Sequence, residues 1–302
     1  MSDGAPRPFV DELATRWTLT KLRLVIVEGQ SDQRLLQLVQ REAHCHKALK
    51  DLDVLPIEAI EVPAALLHKH GLAGTGAKQR VVAFSRELES RSESDGFRGV
   101  IDRDLDQFVA VDLSSTSVLY TDHGCMDAYL WSIDVLGHLV IQFKGEELIR
   151  SAREIQRLFE SIGSSCADLC AVRIASAMHP EWKLNIHHSE RALGIRQKTL
   201  SVDLPRYVEQ CRPVKGSLSD AKACVMEIRS KIEAIEPLDI LNGHDLLWLL
   251  TYVLKTFTTI SRRLIHEETV AGSLVAFGIT NTELTNRPMF KALADWAEPE
   301  IV

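Results

Sequence analysis

The feature that most constrains the fold of this chain is a pair of short apolar runs, each stopping at a carboxylate. Leu24-Val25-Ile26-Val27 runs into Glu28-Gly29-Gln30-Ser31-Asp32, and later in the chain Gly99-Val100-Ile101 runs into Asp102-Arg103-Asp104-Leu105-Asp106. Short runs rich in β-branched Val and Ile, closed by a Gly- or Asp-rich corner and followed by a helical pattern, have the texture of strands buried on both faces in a parallel sheet. Ligands of open α/β sheets bind beyond the carboxyl ends of such strands. Glu28 and Asp32 from one strand end, with Asp102, Asp104 and the neighbouring Asp106 from another, are therefore expected at one edge of the sheet. Carboxylates that close repel one another unless a cation lies between them, and hard oxygen donors with room for water suit Mg²⁺ or Mn²⁺. The expectation is a divalent-metal site.

The rest of the first half fits this frame. Residues 9–20 suggest a lead-in helix, 22–28 the first strand, and Asp32 to Glu42 a helix that places Leu35, Leu36 and Val39 on one face, with Ser31 as its N-cap. Val54 to Glu61 has the pattern of an edge strand, because Pro56 removes a ladder donor. Gly71 to Lys78 is a Gly-rich loop before a helical stretch over 78–92; it lacks the Gly-Lys-Ser/Thr ending of a P-loop, although Lys78 stands at a helix start. Phe97 to Asp102 is a third strand and Ser117 to Tyr120 a fourth, after which Thr121 to Trp131 turns from a strand end into a helix and offers Asp122 and Asp127 to the same edge. Alternating strands and helices predict one α/β domain over residues 1–136.

From 137 to 302 the pattern is mostly helical, with helices expected at 145–160, 217–235 and 244–265 and short strands at 138–143 and 182–186. Asn242-Gly243-His244-Asp245 opens an apolar helix, and a capping role for Asn242 or Asp245 explains the polar cluster. His187-His188 has the look of an ordinary exposed pair. Arg262-Arg263 and the Arg191, Arg196, Lys198 group fit solvated faces better than a nucleic-acid track.

Composition excludes several classes. A net charge of -7 argues against a protein that coats nucleic acid by bulk electrostatics, although an enzyme acting on nucleic acid stays open because bound cations neutralise an acidic site and a local basic stripe or a partner can supply phosphate contacts. The opening residues lack a signal-peptide pattern and no apolar run is long enough to span a bilayer, so a cytoplasmic protein is expected, away from membranes. Six scattered cysteines fit a reducing compartment, with Cys166 and Cys170 at core spacing. His44-Cys45-His46 resembles a zinc fragment but has no second ligand pair at zinc spacing.

Taken together, the strand closing on Glu28-Gly29 with Asp32 after it and the strand closing on Asp102-Arg103-Asp104 resemble the two signatures of the TOPRIM fold, a Rossmann-like parallel-sheet fold found in topoisomerases, primases and OLD-type nucleases. Thr121 to Leu130 and Gly243-His244-Asp245 are further similar to a TOPRIM subgroup with a helical C-terminal half, the effector family of the PARIS type of anti-phage defence, which works with an ABC-type ATPase. This resemblance implies a Mg²⁺- or Mn²⁺-dependent nuclease, a toxic effector of abortive infection that an ATPase partner restrains or activates. It implies Glu28 as the acid/base glutamate beside the metal, Asp32, Asp102 and Asp104 as residues that hold or orient metal, and Asp127 where related members often carry a glutamate. The catalytic set is then Glu28, Asp102 and Asp104; the number of metals, the choice of DNA or RNA such as tRNA, and homo-oligomer formation stay open.

No P-loop is recognisable, so any ATP would be bound by the partner. Neither a catalytic tyrosine in a DNA-gate context nor a primase zinc module stands out. Two other readings compete. The Asp102-Arg103-Asp104 segment can imitate the nucleophile motif of haloacid-dehalogenase-like phosphatases, but Asp106 occupies the place where that family expects Thr or Val. A TOPRIM-shaped regulatory subunit could hold metal without turnover.

Overall fold

The computed structural model describes residues 8–20, 22–42, 46–72, 74–106, 108–109, 112–145, 149, 151–258, 260–278 and 284–298. Its helices are α1 (Val10–Thr20), α2 (Gln30–Arg41), α3 (Lys47–Lys50), α4 (Ala64–Lys69), α5 (Ala77–Ser90), α6 (Ile133–Gln142), α7 (Ala152–Met178), α8 (Leu204–Cys211), α9 (Leu218–Lys231), α10 (Gly243–Phe257), α11 (Glu267–Gly278) and α12 (Pro288–Ala297). The strands are β1 (Leu24–Val27), β2 (Asp53–Pro56), β3 (Phe97–Ile101), β4 (Val118–Tyr120), β5 (Leu193–Arg196) and β6 (Thr199–Val202). Contacts divide the chain into two compact units, neither of them one run of sequence: Met1–Asp102 with Val111–Asp122 and Asn281–Val302, and Arg103–Ala110 with His123–Thr280. No helix among the described residues is long and apolar enough to cross a membrane.

The first unit is an α/β layer structure on a four-stranded, all-parallel sheet in the order β2-β1-β3-β4. Its centre is the pair β1 and β3, in register from Leu24 opposite Phe97 to Val27 opposite Val100. Successive side chains of a strand point to opposite faces. Leu24 and Ile26 accordingly join one core with Phe97, Ile101 and the inner side of α5, while Val25 packs against Leu36, Val39, Leu49, Phe290 and Leu293 on the other face. Both faces are covered, which is why β1 is apolar at every position. Gly99 makes this packing possible, because a Cβ there would lie 2.7 Å from Val81 Cγ1 and 3.0 Å from Ser85 Oγ on α5. β2 lies at the sheet edge as expected from Pro56, and the chain leaves it in a 3₁₀ turn at Ile57–Ala59.

Two carboxylates of α5 hold its surroundings together. Glu87 accepts from Lys69 Nζ at 2.6 Å and Arg91 Nε at 2.8 Å and lies 2.9 Å from His70 Nε2, and Glu89 accepts from Ser115 and Thr116 hydroxyls and from Ser117 N and Oγ. Burial opposes ionisation of both, but these donors override it and bring each from 4.5 to about 2. A carboxylate with a depressed folded pKa contributes stability that is complete above its unfolded value and lost as pH falls through the folded one. Unfolding free energy is therefore expected to fall between pH of about 4.5 and about 2, by roughly 3 kcal/mol for the nearly fully buried Glu87, and Glu87→Gln should flatten that limb in urea titrations.

The second unit is helical around α7, which is capped by Ser151, whose Oγ accepts from Glu154 N at 3.2 Å, and runs 27 residues from Ala152 to Met178, well past the expected end. The expected strand at 138–143 is instead the body of α6. Ser132 Oγ caps it through Val135 N, and Leu136, Leu139 and Val140 are buried at helical spacing, so the apolar run served a helix. The expected strand at 182–186 is not formed; Pro180–Trp182 is a 3₁₀ turn that ends at Lys183 in the left-handed region. The strands of this unit are the antiparallel pair β5 and β6, joined through Gln197 and Lys198, both at positive φ as a tight hairpin requires. Helices α9 and α10 stop at Lys231 and Phe257, earlier than their sequence patterns suggested. Cys166 and Cys170 are buried free thiols of α7, whereas His44 and Cys45 lie outside the described residues.

Candidate metal centre

Glu28 is the first residue beyond β1 and Asp102 the first beyond β3, and the pairing of those strands brings them together. Glu28 Oε1 accepts from Asp102 N at 2.8 Å, so the carboxylate of one strand end is fastened to the backbone of the next. Asp104 follows two residues along the same turn, in the left-handed region at φ 42, a conformation that Asp tolerates better than most residues. One carboxylate oxygen from each of Glu28, Asp102 and Asp104 lies within 4.8 Å of the others, and all three residues are half-buried. A set of hard oxygen donors at this spacing can hold a metal ion and matches the preference of Mg²⁺, Mn²⁺ or Ca²⁺ over softer ions.

Asp32 and Asp127, also expected as metal residues, make the following contacts. Asp32 Oδ2 accepts from Gly29 N at 3.0 Å across the first turn of α2. Gly29, not Ser31, is the N-cap of that helix, and Ser31 stands inside it. A Cβ on Gly29 would make only ordinary contacts, at 3.8 Å from Asp32 and Ser31, so neither packing nor backbone conformation demands glycine there. Asp127 belongs to the 3₁₀ turn Met126–Leu130, and its carboxylate fills the space that a Cβ on Gly243 would take at the start of α10. Burial pushes its pKa up, partly offset by the charge of His244. Neither Asp32 nor Asp127 is part of the three-carboxylate group.

The turn that carries Asp104 is anchored within the second unit. Asp104 N donates to Gly124 O at 2.7 Å, and Gly124 N donates to Leu238 O at 2.9 Å. A Cβ on Gly124 would stand 2.5 Å from Leu241 O and 2.9 Å from Leu241 N, both backbone atoms that cannot rotate away. Gly124→Ala is expected to lower stability by about 1–3 kcal/mol and to weaken divalent-cation binding, read by thermal unfolding with and without Mn²⁺. His123 Nδ1 lies 3.0 Å from Asp239 Oδ1 beside this anchor.

Sequence reasoning missed one group. Asp245, expected as a possible cap, is 1% exposed and accepts from Arg173 Nε at 2.7 Å and Nη2 at 2.6 Å, with His188 Nε2 at 3.0 Å. These contacts outweigh its burial and hold its pKa down. The cap of α10 is Asn242, whose Oδ1 accepts from Asp245 N. The available signal was Arg173 in 166–175, a stretch whose one other charged residue is Asp168.

No protein-family model matches this chain, and no curated protein matches it in sequence.

Proposed function

We propose that this chain is a metal-dependent nuclease of TOPRIM type that hydrolyses phosphodiester bonds in nucleic acid, RNA such as tRNA or DNA, as the toxic effector of an anti-phage system with an ATPase partner. The observation that carries the reading is the carboxylate group at the ends of two adjacent parallel strands, Glu28 beyond β1 with Asp102 and Asp104 beyond β3. The defence role and the ATPase rest on the sequence resemblance. A bound Mg²⁺ or Mn²⁺ would lower the pKa of an attacking water and offset charge on the phosphoryl oxygens. Asp102 and Asp104 would hold that ion. Glu28, its carboxylate oriented by the Asp102 N–H, would accept the proton of the water.

The test is incubation of the purified protein with single- and double-stranded DNA, bulk RNA and tRNA in Mg²⁺, Mn²⁺ or EDTA, alone and with an ABC-type ATPase encoded beside it. Cleavage that needs the metal supports the reading and identifies the substrate. Metal binding with no cleavage in either setting, while the ATPase is still bound, would replace it with a non-catalytic regulatory subunit. Release of phosphate from small phosphomonoesters through Asp102 would favour the phosphatase reading.

A further inference from the structure

We propose that Arg173 and His188 form a phosphate clamp, held in shape by the buried Asp245, that grips the backbone of a nucleic-acid strand; the assignment of the strand rests on the nuclease reading above. Arg173 spends Nε and Nη2 on Asp245 and His188 spends Nε2 on the same carboxylate. Those bonds leave over Nη1 of the guanidinium and Nδ1 of the imidazole. Both side chains keep about a quarter of their surface in solvent, at 26% and 27%, whereas that of Asp245 keeps 2%. One buried anion thus holds Arg173 and His188 side by side; Arg173 Nη1 is a donor, and His188 Nδ1 is a donor when the ring carries its second proton, the form that a bound phosphate favours.

The arrangement is over-determined. The His188 ring stacks on Trp248 of α10, with centroids 4.6 Å apart and planes at 5°. The loop carrying it is pinned to α8, with Tyr207 Oη donating to His187 O at 3.0 Å and Asn185 N donating to Cys211 O at 2.9 Å. Asn242 caps α10 and so sets the position of Asp245. A buried ion pair of this kind adds little to stability over an apolar replacement, because desolvation consumes most of the Coulombic gain. A ligand on the remaining nitrogens would give the group a use that stability does not. Guanidinium edges match phosphate oxygens geometrically, and a carboxylate behind an imidazole fixes its orientation.

The test is binding of a fluorescent single-stranded RNA to the full chain in EDTA, where no cleavage occurs, over a range of salt. His188→Gln keeps a donor toward Asp245 and loses the Nδ1 donor; Arg173→Lys keeps the charge but cannot pair with Asp245 and a phosphate at once. Each is expected to bind about 5–10-fold more weakly, with a shallower slope of affinity against salt by about 0.7 per lost phosphate contact, and with circular dichroism unchanged. Unchanged affinity and slope in both folded variants would overturn the clamp, as would wild-type protein that binds no RNA in EDTA. Equal affinity for AMP and for the strand would overturn the backbone assignment in favour of a free phosphate. A clamp that fails beside intact metal-dependent cleavage, or one that holds beside absent cleavage, separates this proposal from the nuclease reading.

Discussion

Glu28→Gln is expected to reduce metal-dependent cleavage by about 10²–10³-fold while leaving thermal unfolding nearly unchanged. The amide oxygen of glutamine can still accept the Asp102 N–H that Glu28 Oε1 accepts at 2.8 Å, so the turn after β3 keeps its anchor. On the proposed mechanism, what disappears is one of three negative charges available to a cation and the group that would take the proton of the attacking water. Glu28→Ala removes the acceptor as well and leaves the Asp102 N–H without that partner, adding a stability loss of about 1–2 kcal/mol. The pair therefore separates charge from positioning. Single-turnover cleavage in saturating Mn²⁺, with melting curves for each variant, reads both. If Glu28→Gln cleaved at the wild-type rate, the glutamate would have no part in the chemistry and the three-carboxylate centre would lose its strongest argument.

Arg173→Met is expected to destabilise the second unit by about 3–5 kcal/mol, because it leaves Asp245 buried with only His188 to answer its charge. In a unit of this size that is a fall in melting temperature of roughly 10 °C. The reason is asymmetric: the pair contributes little net stability, but half of it is costly. Arg173→Met combined with Asp245→Leu is accordingly expected to recover most of the loss, since both desolvation costs vanish together. Urea unfolding of the two single variants and the double variant gives the coupling energy directly. A double variant as unstable as Arg173→Met alone would mean that the arginine stabilises the unit by packing its stem, not by pairing. Restored stability in the double variant should not restore RNA binding.

Much of the first unit was legible in sequence because its signals are local. Val and Ile runs that stop at Glu28 and Asp102 specify strands buried on both faces, and the apolar period of 32–42 specifies the helix behind them. Pro56 marked an edge strand for the same reason, as a missing donor is a property of one residue. The error at 138–143 came from a run of apolar residues too short to reveal its period, and the capping hydroxyl of Ser132 and burial on one helix face settled it as α6.

What sequence alone determined about this protein is therefore the parallel α/β character of its first unit and the identity of the acids at its strand ends. Tertiary structure decided which of those acids meet. Glu28 and Asp102 touch because β3, not β2, occupies the place beside β1 on that side, and strand order is a consequence of how helices cover the two faces, which no short stretch encodes. It also decided that Asp32 answers a helix N–H and that Asp127 stands at the start of α10. The Arg173–Asp245–His188 group lay beyond any local reading, since its members come from two helices and a loop and are 57 and 72 residues from the aspartate they share. Solvation explains the difference. Local patterns record which residues must leave water, whereas the partner that compensates a buried charge is chosen only when the chain has closed around it.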